Sequence, residues 1–174
     1  MTRKKSESEV LHQLAAWCSM SEKCCNDARQ RAAKQLDDPA AIERIIRQLL
    51  EQRFIDETRY ARAFVNDKFK YNRWGRIKID IELRQKQINS EIRSEALDTI
   101  DDSEYKKTLL SLLTSKQRSV KAKDSYDKRT KLMRFAIGRG FEINIISCCL
   151  DKLKQNDDDY DDEMDQFDSD YDME

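Results

Sequence analysis

Between Arg53 and Lys86 the chain holds ten Lys/Arg, five Asp/Glu and six aromatic residues. Cations at that density are suited to phosphate or carboxylate contact, arginine as a bidentate fork and lysine as a point charge. Their spacing places them. At about 100° per residue, Arg59, Arg62, Asn66, Lys70 and Arg73 share one face of a helix. Tyr60, Ala61, Phe64, Val65 and Tyr71 share the opposite face. Such a helix buries its apolar side and presents its basic side to solvent or to a partner. Arg76, Lys78, Arg84 and Lys86 continue the cationic set towards the end of the stretch. Trp74 and Tyr71 are candidates for stacking on a base or anchoring in a protein pocket; for Trp74 the alternative is a core residue that closes a turn between helices.

Catalytic chemistry finds no matching residues. There is no Gly-rich phosphate loop, no Gly-x-Ser-x-Gly and no set of histidine ligands, since His12 stands alone. Asp80 and Glu82 sit among Arg and Lys, where surface pairing is their ordinary role. A cysteine nucleophile needs a base, and His12 precedes Cys18 by an i, i+6 spacing that serves contact on one helix poorly. The reading is a chain that is not an enzyme and takes no cofactor. Cys18, Cys24, Cys25, Cys148 and Cys149 include two adjacent pairs and no C-x-x-C. A zinc site from His12, Cys18 and Cys24 would need irregular spacing; small buried core residues in a reducing cytosol are the simpler reading.

Three glycines and one proline among 174 residues, with 39% charged, argue for helices and against an all-β fold. The net charge of −1 hides an asymmetry. Residues 155–174 carry eleven Asp/Glu and no Lys/Arg, so the preceding body holds 33 basic against 23 acidic residues, a net +10. A basic body beside an acidic segment is expected of a protein that meets polyanions. The acidic segment lacks the apolar content to offset ordering entropy and is expected to be disordered, either as a competitor for the basic body or as a solubilising end. No run approaches the ~18–20 apolar residues of a membrane span, and the polar start MTRKKSESE is no secretory signal, so a cytoplasmic protein without membrane contact is expected.

The elements that must position the cations form an internal repeat. Residues 54–65 correspond to 99–110, pairing Ile55 with Ile100, Asp56 with Asp101, Tyr60 with Tyr105, Phe64 with Leu109 and Val65 with Leu110. Further on, Ile79, Leu83, Ile88, Ile92 and Leu97 correspond to Leu132, Ala136, Phe141, Ile145 and Leu150, with an extension of the later unit within 111–130. A fainter first unit has helix-like stretches at 8–19, 22–35 and 39–52, with Ile42 standing where Ile92 and Ile145 stand. Asp38-Pro39, Asp101 with Glu104, and Asn89-Ser90 are helix starts; Gly140 is a helix stop. Ile77, Ile79, Ile81 and Leu83 alternate as in a strand. The corresponding 130–137 segment does not alternate, so a helix is expected there, covered on two sides or exposing one apolar pair.

These residues resemble the RecX regulators of the bacterial recombinase RecA. One family signature is met by Phe54, Ile55, Asp56, Arg59, Tyr60, Ala61, Phe64 and Val65, and a second by Trp74, Gly75, Ile79, Glu82, Leu83 and Lys86. Arg76 stands where a proline is frequent, and Gln87 where glycine is usual. The resemblance is specific over 53–97 and extends to about 153, leaving the acidic segment outside. It implies an all-α, elongated and curved protein of three tandem three-helix units, at 1–53, 54–98 and 99–154, followed by the tail at 155–174. It also implies a monomer that binds the RecA filament on single-stranded DNA and restrains strand exchange and ATP hydrolysis. The cationic set Arg59, Arg62, Lys70, Arg73, Arg76, Lys78, Arg84 and Lys86 would then be the binding face. The alternative is a stand-alone helical module that binds DNA without RecA.

Overall fold

The computed structural model describes residues 5–154, so the expected disordered acidic tail lies outside the described residues. Eight helices run α1 Glu7–Met20, α2 Cys25–Ala33, α3 Pro39–Glu51, α4 Glu57–Lys70, α5 Arg76–Gln85, α6 Ser90–Leu97, α7 Asp102–Gln117 and α8 Ser125–Gly138. A further helical segment, α9, covers 143–154, and the described residues include no strand.

Short polar side chains start six of the eight, α1, α3, α4, α6, α7 and α8, by accepting from backbone N–H groups that have no intrahelical partner. Asp38 accepts from Ala40 with Pro39 in the first turn, and Asn89 accepts from Glu91. Asp56 and Asp101, equivalent in the repeat, accept from Arg59 and Glu104 at 2.9 Å each. A reciprocal capping box, not anticipated from the sequence, closes α1 through Ser6 and Glu9. Helix α2 starts at Cys25 rather than 22, because Cys24 is extended and forms its cap.

The ends of α5 and α8 share one geometry. Ile88 N–H donates to Leu83 O and Gln87 N–H to Arg84 O; Phe141 N–H donates to Ala136 O and Gly140 N–H to Ile137 O. This is the Schellman closure, which needs a left-handed residue just past the helix. Gly140 takes that place at φ 87, and Gln87 takes it at φ 62. The substitution for glycine therefore keeps the turn and bears its strain.

Helix α5 is covered on one side only. Ile79 and Leu83 are wholly buried, while Ile77 and Ile81 are each 47% exposed. Of the two arrangements open to this alternating run, the helix that exposes one apolar pair is the one formed. Repeat partners Ile55 and Ile100, Tyr60 and Tyr105, Ile79 and Leu132, Leu83 and Ala136, and Ile88 and Phe141 are all buried. Within α4 and α7 the interior shifts by one position, burying Val65 in one and Leu109 in the other, with Phe64 and Leu110 half-buried.

The chain divides into two units, the first drawn from Met1–Asn72 and Ile79–Ile100, the second from Arg73–Lys78 and Asp101–Glu174. In the first, α1, α2 and α3 pack mutually around Val10, Leu14, Ala28, Ile45, Ile46 and Leu49, and α4 packs on α6. In the second, α7 packs on α8 around Tyr105, Leu109, Leu113, Leu132 and Phe141. Cys18, Cys24, Cys25 and Cys149 are buried as small core residues, and Cys148 is exposed.

Candidate functional site

The expected basic face separates into cations bound by this chain's own carboxylates and cations left at the surface. Arg59 belongs to the first group. Its Nε donates to Glu22 Oε1 at 3.0 Å and its Nη2 to Arg53 O at 3.2 Å. Lys86 donates to Asp27 Oδ1 at 2.8 Å, and that bond holds its pKa above the ordinary value. In both cases the acid comes from an element far away in sequence.

Arg76 is the most fully engaged. Its guanidinium lies 4.3 Å from the Tyr105 ring centroid, donates to Asp102 Oδ1 at 2.7 Å and approaches Glu142 at 3.9 Å. Its backbone N–H donates to Tyr105 Oη at 2.9 Å, and the Tyr105 hydroxyl donates to Glu142 Oε2 at 2.5 Å. Burial, followed by the bond to Glu142, pushes the Tyr105 pKa well above that of an ordinary tyrosine. A proline at position 76 would have no N–H to donate, so this departure from the family pattern adds a hydrogen bond to the turn.

The same turn is fastened by main chain. Gly75 N–H donates to Arg139 O at 2.9 Å, and Ile77 N–H to Gly140 O at 3.0 Å. Trp74, half-buried beside this contact, carries Lys78 Nζ 4.3 Å from its ring centroid. A cation seated on an aromatic face is attracted by the ring quadrupole. The Trp-Gly signature thus closes a turn and also presents a cation–ring pair.

The remaining cations lie outward. Arg62, Lys70 and Arg73 are exposed, and Arg84 reaches Asp80 at 3.3 Å with its side chain 69% exposed. Asp80 is shared, since it also takes Arg93 Nε at 2.7 Å, a buried-side pairing the sequence reading missed. Helix α4 stops at Lys70, so Arg73 is not on its face; Arg73 sits in the following turn at φ 52. For the same reason Tyr71 leaves the apolar face and is 80% exposed. The first unit therefore displays Arg62, Lys70, Tyr71, Ile81 and Arg84. The second displays Arg73, Ile77 and the Trp74–Lys78 pair.

Elsewhere the geometry offers little reactive chemistry. His12 is exposed with Nδ1 2.8 Å from Ser8 O, while Cys18 and Cys24 are buried with thiol pKa values raised chiefly by that burial. Among the described residues no group of His, Cys, Asp or Glu is arranged to hold a metal, and no helix is long and apolar enough to cross a membrane.

Comparison with known proteins agrees with this architecture. The family model for the RecX second three-helix domain matches residues 56–97, and that for the third three-helix domain matches 103–150. The regulatory protein RecX of Clostridium tetani is 33% identical over 123 residues, 69% of this chain and 56% of that protein. Its counterpart in a Clostridium botulinum strain is 34% identical over 111 residues, 63% of this chain and 51% of that protein. The chain thus spans about half the length of the curated relatives it matches. The crystal structure of RecX from Lactobacillus salivarius superposes with a TM-score of 0.76 at 18% identity, covering 86% of this chain and 97% of that one. A second regulatory protein RecX structure gives 0.77 at 18%, covering 83% and 71%, a likeness of fold.

Tandem three-helix domains place the chain among helical-repeat proteins, and the curated relatives it matches are named regulatory proteins. The chain belongs to the RecX family.

Proposed function

We propose that this chain binds the RecA filament on single-stranded DNA and restrains its strand exchange and ATP hydrolysis. The observation that carries the reading is that each unit exposes cations together with apolar side chains, Arg62, Lys70 and Arg84 with Tyr71 and Ile81 in the first and Arg73 with Ile77 in the second, in a chain of this family. Arginine and lysine are matched to DNA phosphates and protein carboxylates, while an exposed tyrosine and isoleucine pair suit a protein surface better than a phosphate backbone. Arg59, Arg76 and Lys86 support the face by holding its elements rather than by touching the partner. The three units 1–53, 54–98 and 99–154 act as modules in this reading, on a monomer in the cytoplasm.

The test measures binding to RecA alone, to single-stranded DNA alone and to the RecA–DNA filament at one salt concentration, with ATPase followed in parallel. Binding to the filament well above either component, with ATPase falling, supports the reading. Equal binding to naked DNA and filament, with a steep salt slope, would replace it by a stand-alone DNA-binding module.

A further inference from the structure

The second unit has a basic surface outside the family signatures. From Lys116 to Arg134 there are eight Lys/Arg against only Asp124 and Asp127. This stretch overlaps the extension within 111–130 that lengthens the third repeat, and it is pinned in place. Lys131 Nζ donates to Lys121 O at 2.8 Å and to Asp127 Oδ2 at 2.7 Å, and Lys123 N–H donates to Asp127 Oδ2 at 3.1 Å.

Against it lies a groove of about 400 Å³ formed by the end of α7, the start of α8 and α9. Leu132, Leu150 and Leu153 make its floor, and Tyr126, Lys128 and Lys154 stand on its rim. Tyr126 is 78% exposed, so its ring is uncovered. Asp151, between Leu150 and Leu153 in the sequence, is taken by Arg129 at 2.8 Å. An apolar floor with a cationic rim is complementary to an acidic segment that carries apolar residues among its carboxylates. A nucleic-acid backbone would use the cationic rim alone.

This chain contains such a segment. Residues 155–174 hold eleven carboxylates and no cation, with Tyr160, Met164, Phe167, Tyr171 and Met173 spaced between them. The segment starts at the residue after Lys154, which itself lines the groove. At up to ~3.3 Å per residue it is long enough to turn back across the floor. A short tether sets an effective concentration in the millimolar range, so weak contacts suffice.

We propose that the groove receives residues 155–174 of the same chain, an aromatic side chain seated on Leu132, Leu150 and Leu153 and carboxylates paired with Lys128, Lys154 and the lysines of the extension. The seated segment neutralises a basic surface separate from the face assigned above, and the inference does not depend on that assignment.

The test compares amide NMR spectra of the full chain with those of the charge-preserving variant Y160S/F167S/Y171S. Amides of Ser125–Leu132 and of 150–154 shift between the two, by the same amount across a tenfold range of protein concentration. A synthetic peptide of residues 155–174 returns the variant's amides towards their original positions. It binds the variant about tenfold or more tighter than the full chain, whose groove the tethered segment already fills. Adding the groove substitutions Y126A/K128E to the Y160S/F167S/Y171S variant abolishes the peptide response. Unchanged groove amides would overturn the proposal. So would shifts that grow with concentration, which indicate a second copy, or recovery by a single-stranded oligonucleotide but not by the peptide.

Discussion

Gly75 and Gly140 lie main chain on main chain: a Cβ at Gly75 would fall 2.2 Å from the Gly140 carbonyl oxygen, and one at Gly140 would fall 2.3 Å from Lys78 Cβ. Both clashes involve groups that cannot swing aside. Gly140 also needs its positive φ of 87°, so the pair answers a double demand, close approach and left-handed backbone.

Gly75→Ala is expected to lower unfolding free energy by about 1–3 kcal/mol, the range for forced overpacking against fixed neighbours. Gly138→Ala is the control, because a Cβ there would meet nothing within 4 Å. Urea unfolding of the three proteins decides it. A Gly75→Ala midpoint equal to that of Gly138→Ala would show that the turn can relax.

Gln87→Gly should stabilise the protein by about 0.5–1 kcal/mol, because release of left-handed strain outweighs the added freedom of the unfolded chain. Gln87→Val should move the midpoint the other way, a β-branched side chain being worse there. Thermal and urea unfolding give both signs. A destabilised Gln87→Gly would mean that the Gln87 side chain, not its backbone, matters.

Burial, reinforced by the charge of Glu57, pushes the Cys25 thiol from an ordinary 9.0 up to about 12. Above pH 9 the unfolded chain releases this proton while the folded chain keeps it, so stability falls with rising pH until about pH 12. Below pH 9 the contribution is complete. Unfolding midpoints measured at increasing pH across that window should decline, and less steeply in Cys25→Ala. In the native protein a thiol reagent should modify exposed Cys148 first, with the other four cysteines reacting only on unfolding.

The two groups of cations should separate in one experiment. Tyr105→Phe is expected to lower stability by about 1–3 kcal/mol, since it leaves the Arg76 N–H and a Glu142 oxygen without their partner, and Arg76→Ala to lower it by about 1 kcal/mol through the lost contact with the Tyr105 ring and the lost bond to Asp102. The combined change Arg62→Ala, Lys70→Ala, Arg73→Ala and Arg84→Ala should leave the unfolding midpoint nearly unchanged. It should weaken filament or DNA binding and reduce the salt slope by roughly one unit per lost phosphate contact. Unaltered binding and slope would mean that these four side chains are merely solvated.

The repeat is legible in the sequence because its determinants are local. Asp56 and Asp101 cap their helices within three residues, and Pro39 and Gly140 mark ends by their own backbone limits. The partnering of charges is not legible in the same way. Periodicity puts Arg59 on a polar face but does not reveal that Glu22 will meet it, nor that Asp27 will take Lys86. Periodicity misplaces Tyr71 for a related reason: a helical wheel has no end, whereas α4 stops at Lys70. Likewise the alternating run of α5 shows two apolar faces, and only packing decides that Ile77 and Ile81 remain uncovered.

The Gly75–Gly140 contact also bears on the order of folding events. Its hydrogen bonds, Gly75 to Arg139 and Ile77 to Gly140, join segments far apart in sequence, and they need the end of α8 to be already turned. Closing so long a loop is entropically slow and is rewarded only after the local helices exist. If the contact forms after the rate-limiting barrier, a side chain added at position 75 should accelerate unfolding while leaving the folding rate nearly unchanged, which stopped-flow unfolding and refolding of Gly75→Ala would measure. In that case the glycine pair is a latch on the native state, governing how long the second unit stays folded rather than how quickly it gets there.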